Sequence, residues 1–294
     1  MKVSLITACY NSATTIGTAI DSVLSQKGVD VEYIVVDGGS TDGTVDIIKK
    51  YAESIPNSAT LNSATPNFTF RWLSESDRGM YDAINKGIKM ATGDIIGILN
   101  ADDVLATDDT LAHIADKFGS GGVGSGGVGS GGVRSGGVES GGVENVDCMY
   151  ADIRFVREGE SVEALRKAKS VRYCSAAKWK PWMFRFAAMV PHPSFYVRRE
   201  CFQRLGGYSL DYRICADFEL ELRYLYLAKL KASYLPECVV VMRMGGASTA
   251  GWRSNVEINR EDLRALRAHG IWSCLPMIYL KYLFKIWGFV FRSR

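Results

Sequence analysis

The feature that most constrains this chain is an alternation of two hydrophobic periods between residues 3 and 105. Val3–Ala8 is an apolar run of strand length that ends in Cys9-Tyr10-Asn11-Ser12. From Thr15 the period changes, and Ile16, Ala19, Ile20, Val23 and Leu24 recur at helical spacing, with Asn11, Ser12, Thr14 and Thr15 as N-cap candidates. Val31–Val36 is a second strand-type run, followed by Asp37-Gly38-Gly39-Ser40-Thr41-Asp42-Gly43 and a helix opening at Val45, Ile47 and Ile48. Phe70–Leu73 reads as a third strand, Tyr81, Ile84, Ile88 and Ala91 as a third helix, and Asp94–Leu99 as a fourth strand. Such alternation predicts a parallel sheet with helices on its faces. Ligands of such sheets bind beyond the carboxyl ends of the strands. The polar clusters at 7–11, 37–42 and 100–103 sit at those ends.

A chain of 294 residues, 47% hydrophobic and 23% charged, can bury a sizeable core. Its formal net charge of +3 is too small to make nucleic acid the expected partner. The seven cysteines are odd in number and none form a Cys-x-x-Cys pair, which argues against a disulfide framework or a zinc knuckle. The amino-terminal residues run directly into a strand without the pattern of a secretory signal, so a cytoplasmic location is expected.

Residues 119–143 interrupt this pattern with five pentapeptides that share Ser-Gly-Gly-Val. They are too glycine-rich to bury a core and read as a flexible insertion between a helix at 110–118 and a strand at 147–153. The expected organisation is a first half over 1–118, an insertion over 119–145, a second half over 146–250 and a helical segment over 251–294. Within the last, Leu275–Phe291 is apolar apart from Lys281 and Lys285, which share a face with Arg292. It is shorter than the ~20 residues of a spanning helix. Two readings stand: an interfacial helix on an anionic leaflet, with Tyr279, Tyr282 and Trp287 near the headgroups, or a helix docked on the core.

Asn100-Ala101-Asp102-Asp103 follows a buried-type strand. Carboxylates at such a strand end suit an oxygen-preferring cation, Mg²⁺ or Mn²⁺, which would neutralise a departing diphosphate. A solvated turn is the commoner meaning of two adjacent aspartates. Asp37, before two glycines that allow close backbone approach, offers a carboxylate to a base or ribose. The competing reading is a plain strand-to-helix turn capped by Ser40 or Thr41.

Taken in order, Thr7-Ala8-Cys9-Tyr10-Asn11, Val36-Asp37-Gly38-Gly39-Ser40-Thr41-Asp42-Gly43-Thr44, Glu75 through Gly87 and Leu99-Asn100-Ala101-Asp102-Asp103 closely resemble the family 2 glycosyltransferases of the GT-A type, above all bacterial enzymes of surface-polysaccharide synthesis. The resemblance covers residues 3–105 and continues more loosely from Pro191 to Thr249. It implies an α/β, GT-A-like mixed, mainly parallel sheet flanked by helices, with 1–118 as its donor-binding half, 146–250 as its acceptor-binding half and a helical appendage. It also implies a nucleotide-sugar donor, a UDP-sugar by preference, and a saccharide or lipid-linked saccharide acceptor. Thr7, Ala8 and Tyr10 would line the nucleoside pocket, Asp37 would contact the base, and Asp77 and Lys86 would lie near base and phosphates. Asn100 stands where the family often has the first aspartate of Asp-x-Asp, and would face the ribose. Asp102 takes the metal position with Asp103 beside it. Asp217 is implied as the general base of an inverting transfer. Glu219, two residues on, would point elsewhere on a helix. His192, beside a proline at a strand start, is a candidate acceptor or phosphate contact. Gly245–Thr249 is a candidate phosphate nest or a mobile loop. The Gln-x-x-Arg-Trp motif of processive members is absent, which favours single-sugar addition. A non-catalytic nucleotide-sugar-binding protein and a nucleotidyl transferase are the alternatives.

Overall fold

The computed structural model describes residues 1–55, 67–119, 146–157, 159–244 and 252–281, the last with side chains from 255. The pentapeptide insertion, the 245–249 nest, Lys285 and Arg292 lie outside the described residues.

The alternation of periods becomes four parallel strands with their helices. These are β1 (Lys2–Cys9), α1 (Ile16–Leu24), β2 (Asp30–Asp37), α2 (Thr44–Ser54), β3 (Phe68–Ser74), α3 (Met80–Met90) and β4 (Ile95–Ile98). β5 (Val104–Leu105) and α4 (Thr110–Gly119) complete this part. After the insertion come β6 (Cys148–Val156), α5 (Val162–Lys167), β7 (Arg172–Cys174), β8 (Tyr196–Arg198), α6 (Arg199–Leu205), α7 (Ala216–Glu221), β9 (Ala232–Arg243) and α8 (Trp252–Ala268). The described strands make one sheet in the order β3-β2-β1-β4-β8-β6-β9-β5, with β7 on β6. β1 through β4 are parallel, β8 runs antiparallel to both β4 and β6, and β6 and β9 are again parallel.

Each face of the sheet buries a core that ignores the boundary between the halves. On one, Ile6, Ile34 and Tyr81 pack with Phe184, Tyr224 and Leu266. On the other, Val3, Ile20 and Tyr33 pack with Met149, Leu235 and Val239. These side chains are withdrawn almost wholly from water, and each contributes roughly 1.5–3 kcal/mol of transfer free energy.

Several local expectations change. The residue before α2 is Gly43, not Ser40 or Thr41. Asp42 supplies the turn instead, accepting from the Thr44 N–H at 3.1 Å and from the Ala13 N–H at 3.0 Å. α7 continues into a wider π-type turn over Leu222–Leu227. Lys281 is buried and donates to Asp262 at 2.7 Å, and Ile278 is fully buried. The start of the terminal segment is therefore docked on the core, and Lys281 is not part of a solvent-facing basic stripe. Among the described residues no helix is long and apolar enough to cross a membrane.

Arg198, at the end of β8, joins the two ends of the insertion. Its Nη2 donates to the carbonyl of Phe118 at 3.0 Å and its Nε to that of Val146 at 2.6 Å.

Candidate active site

The register of the parallel strands sets the site. Cys9 lies opposite Asp37, and Asp37 opposite Ser74. The segments after β1, β2, β3 and β4 therefore leave the sheet at one edge. Cross-links hold them together: the Gly38 N–H donates to the Cys9 carbonyl at 2.9 Å, and the Asn11 N–H to Ser40 Oγ at 2.7 Å.

Asp37 is fully buried. Its Oδ2 accepts from the N–H groups of Gly39 and Ser40, both at 3.0 Å, and from Ser74 Oγ at 2.7 Å. Its Oδ1 accepts from the Ser40 hydroxyl and faces the Cys9 thiol at 3.8 Å. Burial alone would raise its pKa, but the Ser40 and Ser74 hydroxyls and the two N–H groups outweigh it and hold the carboxyl below its ordinary value. Sequence reading expects this carboxylate to reach a base, whereas here it ties the turn together. Asp77 is the more open acid. Its Oδ1 accepts from the Gly79 N–H at 2.8 Å, and its Oδ2 packs on Gly38, where a Cβ would stand 2.5 Å away. That contact requires glycine at 38.

Thr7 is buried, its hydroxyl 2.9 Å from that of Tyr33, while Ala8 is half-buried and Tyr10 is 64% exposed. Lys86 donates to the Ser76 carbonyl and pairs with Glu75, both at 2.9 Å, which ties it to the segment after β3.

Beyond β4 the two aspartates diverge. Asp103 is fully buried, with Oδ2 accepting from Asn100 Nδ2 at 2.8 Å and Oδ1 from the Arg243 N–H at 3.3 Å. Burial, then the neighbouring Asp102 charge, pushes its carboxyl well above the ordinary range. Asp102 is half-buried, and burial raises its pKa as well, with Arg243 pulling the other way. Among the described residues no other residue donates a hydrogen bond to its oxygens, so this carboxylate is the open one of the pair. The nearby Arg243 guanidinium holds two buried donors, Nε and Nη2, without hydrogen-bond partners among the described residues. Sequence reading missed Arg243, which has no motif around it and comes to Asp103 only through the pairing of β5 with β9.

Asp217 opens α7. The Tyr81 hydroxyl, in the first turn of α3, lies 2.6 Å from the Ile214 carbonyl and 3.2 Å from Asp217 Oδ1. The expected base is thereby tied to the helix that follows Asp77. Tyr81 stacks on Tyr208 at 5.4 Å, and the Tyr208 hydroxyl meets His192 Nε2 at 2.6 Å. Burial holds the imidazole below its ordinary pKa while the Asp217 charge acts in the opposite sense, so His192 is neutral near pH 7. Asn85 clamps the same loop, accepting from the Tyr208 N–H at 2.9 Å and donating to its carbonyl at 2.8 Å. Gly207 leaves room for this clamp, because a Cβ there would stand 2.3 Å from Asn85 Oδ1. Glu219 faces away, paired with Arg223 at 2.9 Å and His269 at 2.8 Å. Glu221 is buried, with Oε2 accepting from the Val190 N–H and Oε1 without a partner among the described residues.

Residues 4–139 match the family model described as Glycosyl transferase family 2. An uncharacterized glycosyltransferase of Mycobacterium tuberculosis is 30% identical over 222 residues, covering 75% of this chain and 68% of that protein. The chain belongs to glycosyl transferase family 2. The transferase is also 27% identical over 263 residues to a PGL/p-HBAD biosynthesis glycosyltransferase of Mycobacterium bovis, covering 90% of this chain and 83% of the relative. Residues 1–349 of S. aureus TarS, solved with UDP-GlcNAc, superpose with a TM-score of 0.57 at 17% identity, covering 90% of this chain and 66% of that one. The chain spans 40% of the longer TarS structure. The mannosyltransferase PcManGT of Pyrobaculum calidifontis, solved with GDP-Man and Mn²⁺, superposes with a TM-score of 0.54 at 18% identity, covering 98% and 80%. The fold of the transferase is thus GT-A, and it is a sugar-transferring enzyme.

Proposed function

We propose that the transferase moves one sugar from a UDP-sugar to a hydroxyl of a saccharide acceptor, free or lipid-linked, with inversion at the anomeric carbon. The observation that carries this reading is the open carboxylate of Asp102 within the field of Arg243, whose Nε and Nη2 have no hydrogen-bond partner among the described residues. A carboxylate and a fork of N–H donors side by side match a diphosphate and its counter-ion. Mg²⁺ commonly binds through one or two carboxylates, substrate phosphates and water. Asp102 fits that donor set, with Asp103 holding the turn. Among the described residues no cluster of three or more His, Cys, Asp or Glu could form an all-protein cage. When bound, a divalent cation supplies charge neutralisation to the departing diphosphate.

The nucleoside would lie along Thr7, Ala8, Tyr10 and Asp77, with Asp37 and Lys86 shaping the walls and Asn100 near the ribose. Asp217 would take the proton of the acceptor hydroxyl as that oxygen bonds to the anomeric carbon. The electron pair of the breaking bond then leaves with the β-phosphate oxygen, beside Arg243. His192, neutral and bonded to Tyr208, would face the acceptor side of Asp217.

Calorimetry of UDP binding with and without Mn²⁺, followed by NMR of the product anomer, tests the reading. Mn²⁺-dependent UDP binding and an inverted product are expected. Binding of UDP indifferent to Mn²⁺ would remove the metal role, and a retained anomer would remove direct displacement.

A further inference from the structure

The outward face of α8 carries a feature that the transfer reaction does not use. Its inward face is fixed to the core: Ala265 and Leu266 are fully buried, and Glu261 accepts the backbone N–H groups of Arg213, Ile214 and Cys215 at 3.2, 2.9 and 2.9 Å. Outward, Arg260, Arg264 and Arg267 are exposed at i, i+4 and i+7, which is one stripe of a helix. They border an open groove of about 520 Å³ whose remaining lining is Leu263, Ala268 and Leu275. The Arg264 guanidinium sits 5.1 Å over the Tyr212 ring, so part of the stripe is held in place. Glu257 is exposed one turn before Arg260, a single acid beside three arginines.

Beyond the groove the surface turns apolar. Trp272 is 71% exposed, and Leu275, Tyr279 and Leu280 follow at 37%, 44% and 40%. Large apolar side chains exposed in a group mark an interaction surface, unlike ones scattered singly. A row of guanidiniums flanked by tryptophan, tyrosine and leucine matches the two layers of a bilayer surface, anionic headgroups and the acyl boundary below them. We propose that this face docks the transferase on an anionic lipid bilayer, with the α8 arginines on headgroup phosphates and the Trp272–Leu280 cluster in the headgroup–acyl boundary. The basic stripe expected from sequence runs through Lys281, which the ion pair with Asp262 removes from the surface. The docking charge belongs to α8. Because α8 braces the loop that enters α7, docking would set the acceptor half against the membrane. The proposal does not depend on which donor is bound.

The test is flotation of the full chain with vesicles of phosphatidylcholine containing phosphatidylglycerol, against vesicles of phosphatidylcholine alone. The protein should partition onto the anionic vesicles and release at high salt. Each arginine contributes about fivefold to such partitioning, so R260Q/R264Q/R267Q should weaken it by about 100-fold. R260Q/R267Q leaves Arg264 on Tyr212 and should weaken it by about 25-fold, with unchanged thermal stability and UDP binding. W272S should weaken partitioning even at high salt. Equal partitioning of wild type and triple variant would overturn the proposal, as would equal binding to both vesicle types. A soluble dimer that W272S dissociates would also overturn it, by assigning the face to a second copy of the chain. Loss of the donor reading would appear separately, as absent UDP binding with vesicle binding intact.

Discussion

The two halves of the sheet hold their carboxylates differently. In the first, the carboxylates after β2 and β3 are satisfied within a few residues or across one strand spacing, Asp37 by Gly39, Ser40 and Ser74, Asp42 by Thr44 and Asp77 by Gly79, while buried Asp103 reaches across to Arg243. From residue 146 onward, partners come from farther along the chain: Glu219 from His269 besides the local Arg223, Glu261 from residues 213–215, Glu221 from Val190, Asp262 from Lys281. Parallel β-α units deliver successive loops to one edge, so contiguous motifs meet there. The second half has no such repeat and is assembled from tertiary contacts. Asp102 accepts from no other described residue, and Asp217 accepts the Tyr81 hydroxyl and the Phe218 N–H through Oδ1.

The comparison assigns the two acids different steps, and substitution separates them. Asp217→Asn should lower kcat by about 10²–10⁴-fold while UDP and Mn²⁺ bind as in wild type by calorimetry. Asp102→Ala should lower turnover by about 10²–10³-fold and abolish the Mn²⁺ dependence of UDP binding. If both variants lost donor binding equally, the division of labour would fail. The wild-type pH profile sharpens it further. Burial raises the Asp102 pKa, so Mn²⁺-supported UDP binding should decline on acidification at a higher pH than an ordinary carboxylate would give.

The contact between the halves carries the next largest effect. Asn85→Ala leaves the Tyr208 N–H and carbonyl without the clamp, and urea unfolding should register a loss of about 2 kcal/mol. Transfer should fall while UDP affinity holds. The smallest effect belongs to Glu221, whose pKa is pushed well above normal by burial and then by Asp217. A raised folded pKa means its stabilising contribution is complete below the unfolded pKa and lost as pH rises through the folded one. At neutral pH the Glu221→Gln variant should therefore melt a few degrees higher than wild type, and in acid the two should converge.

The first half is legible because its information is local. Strand-length apolar runs, helical periods and polar clusters recur in one order, and the strands form where those runs lie. What failed to show in the sequence is non-local. Two residues, Val104 and Leu105, are too short a run to mark β5, yet their pairing with Val240 and Val241 carries Arg243 to Asp103. Periodicity placed Lys281 on a stripe but carries no information about which stripe meets the core. Asp262, its partner, lies on another helix. Asp217 was reached through family resemblance, and its tie to Tyr81 spans 136 residues that no local pattern links.

The grip of Arg198 on the carbonyls of Phe118 and Val146 has a consequence for how this gene can vary. One guanidinium clasps both doorposts of the pentapeptide array, so the sheet registers where the array begins and ends but not how many copies lie between. Repeated coding units gain and lose copies readily during replication. Such drift would lengthen or shorten the array while leaving the clasp, and every strand behind it, in place.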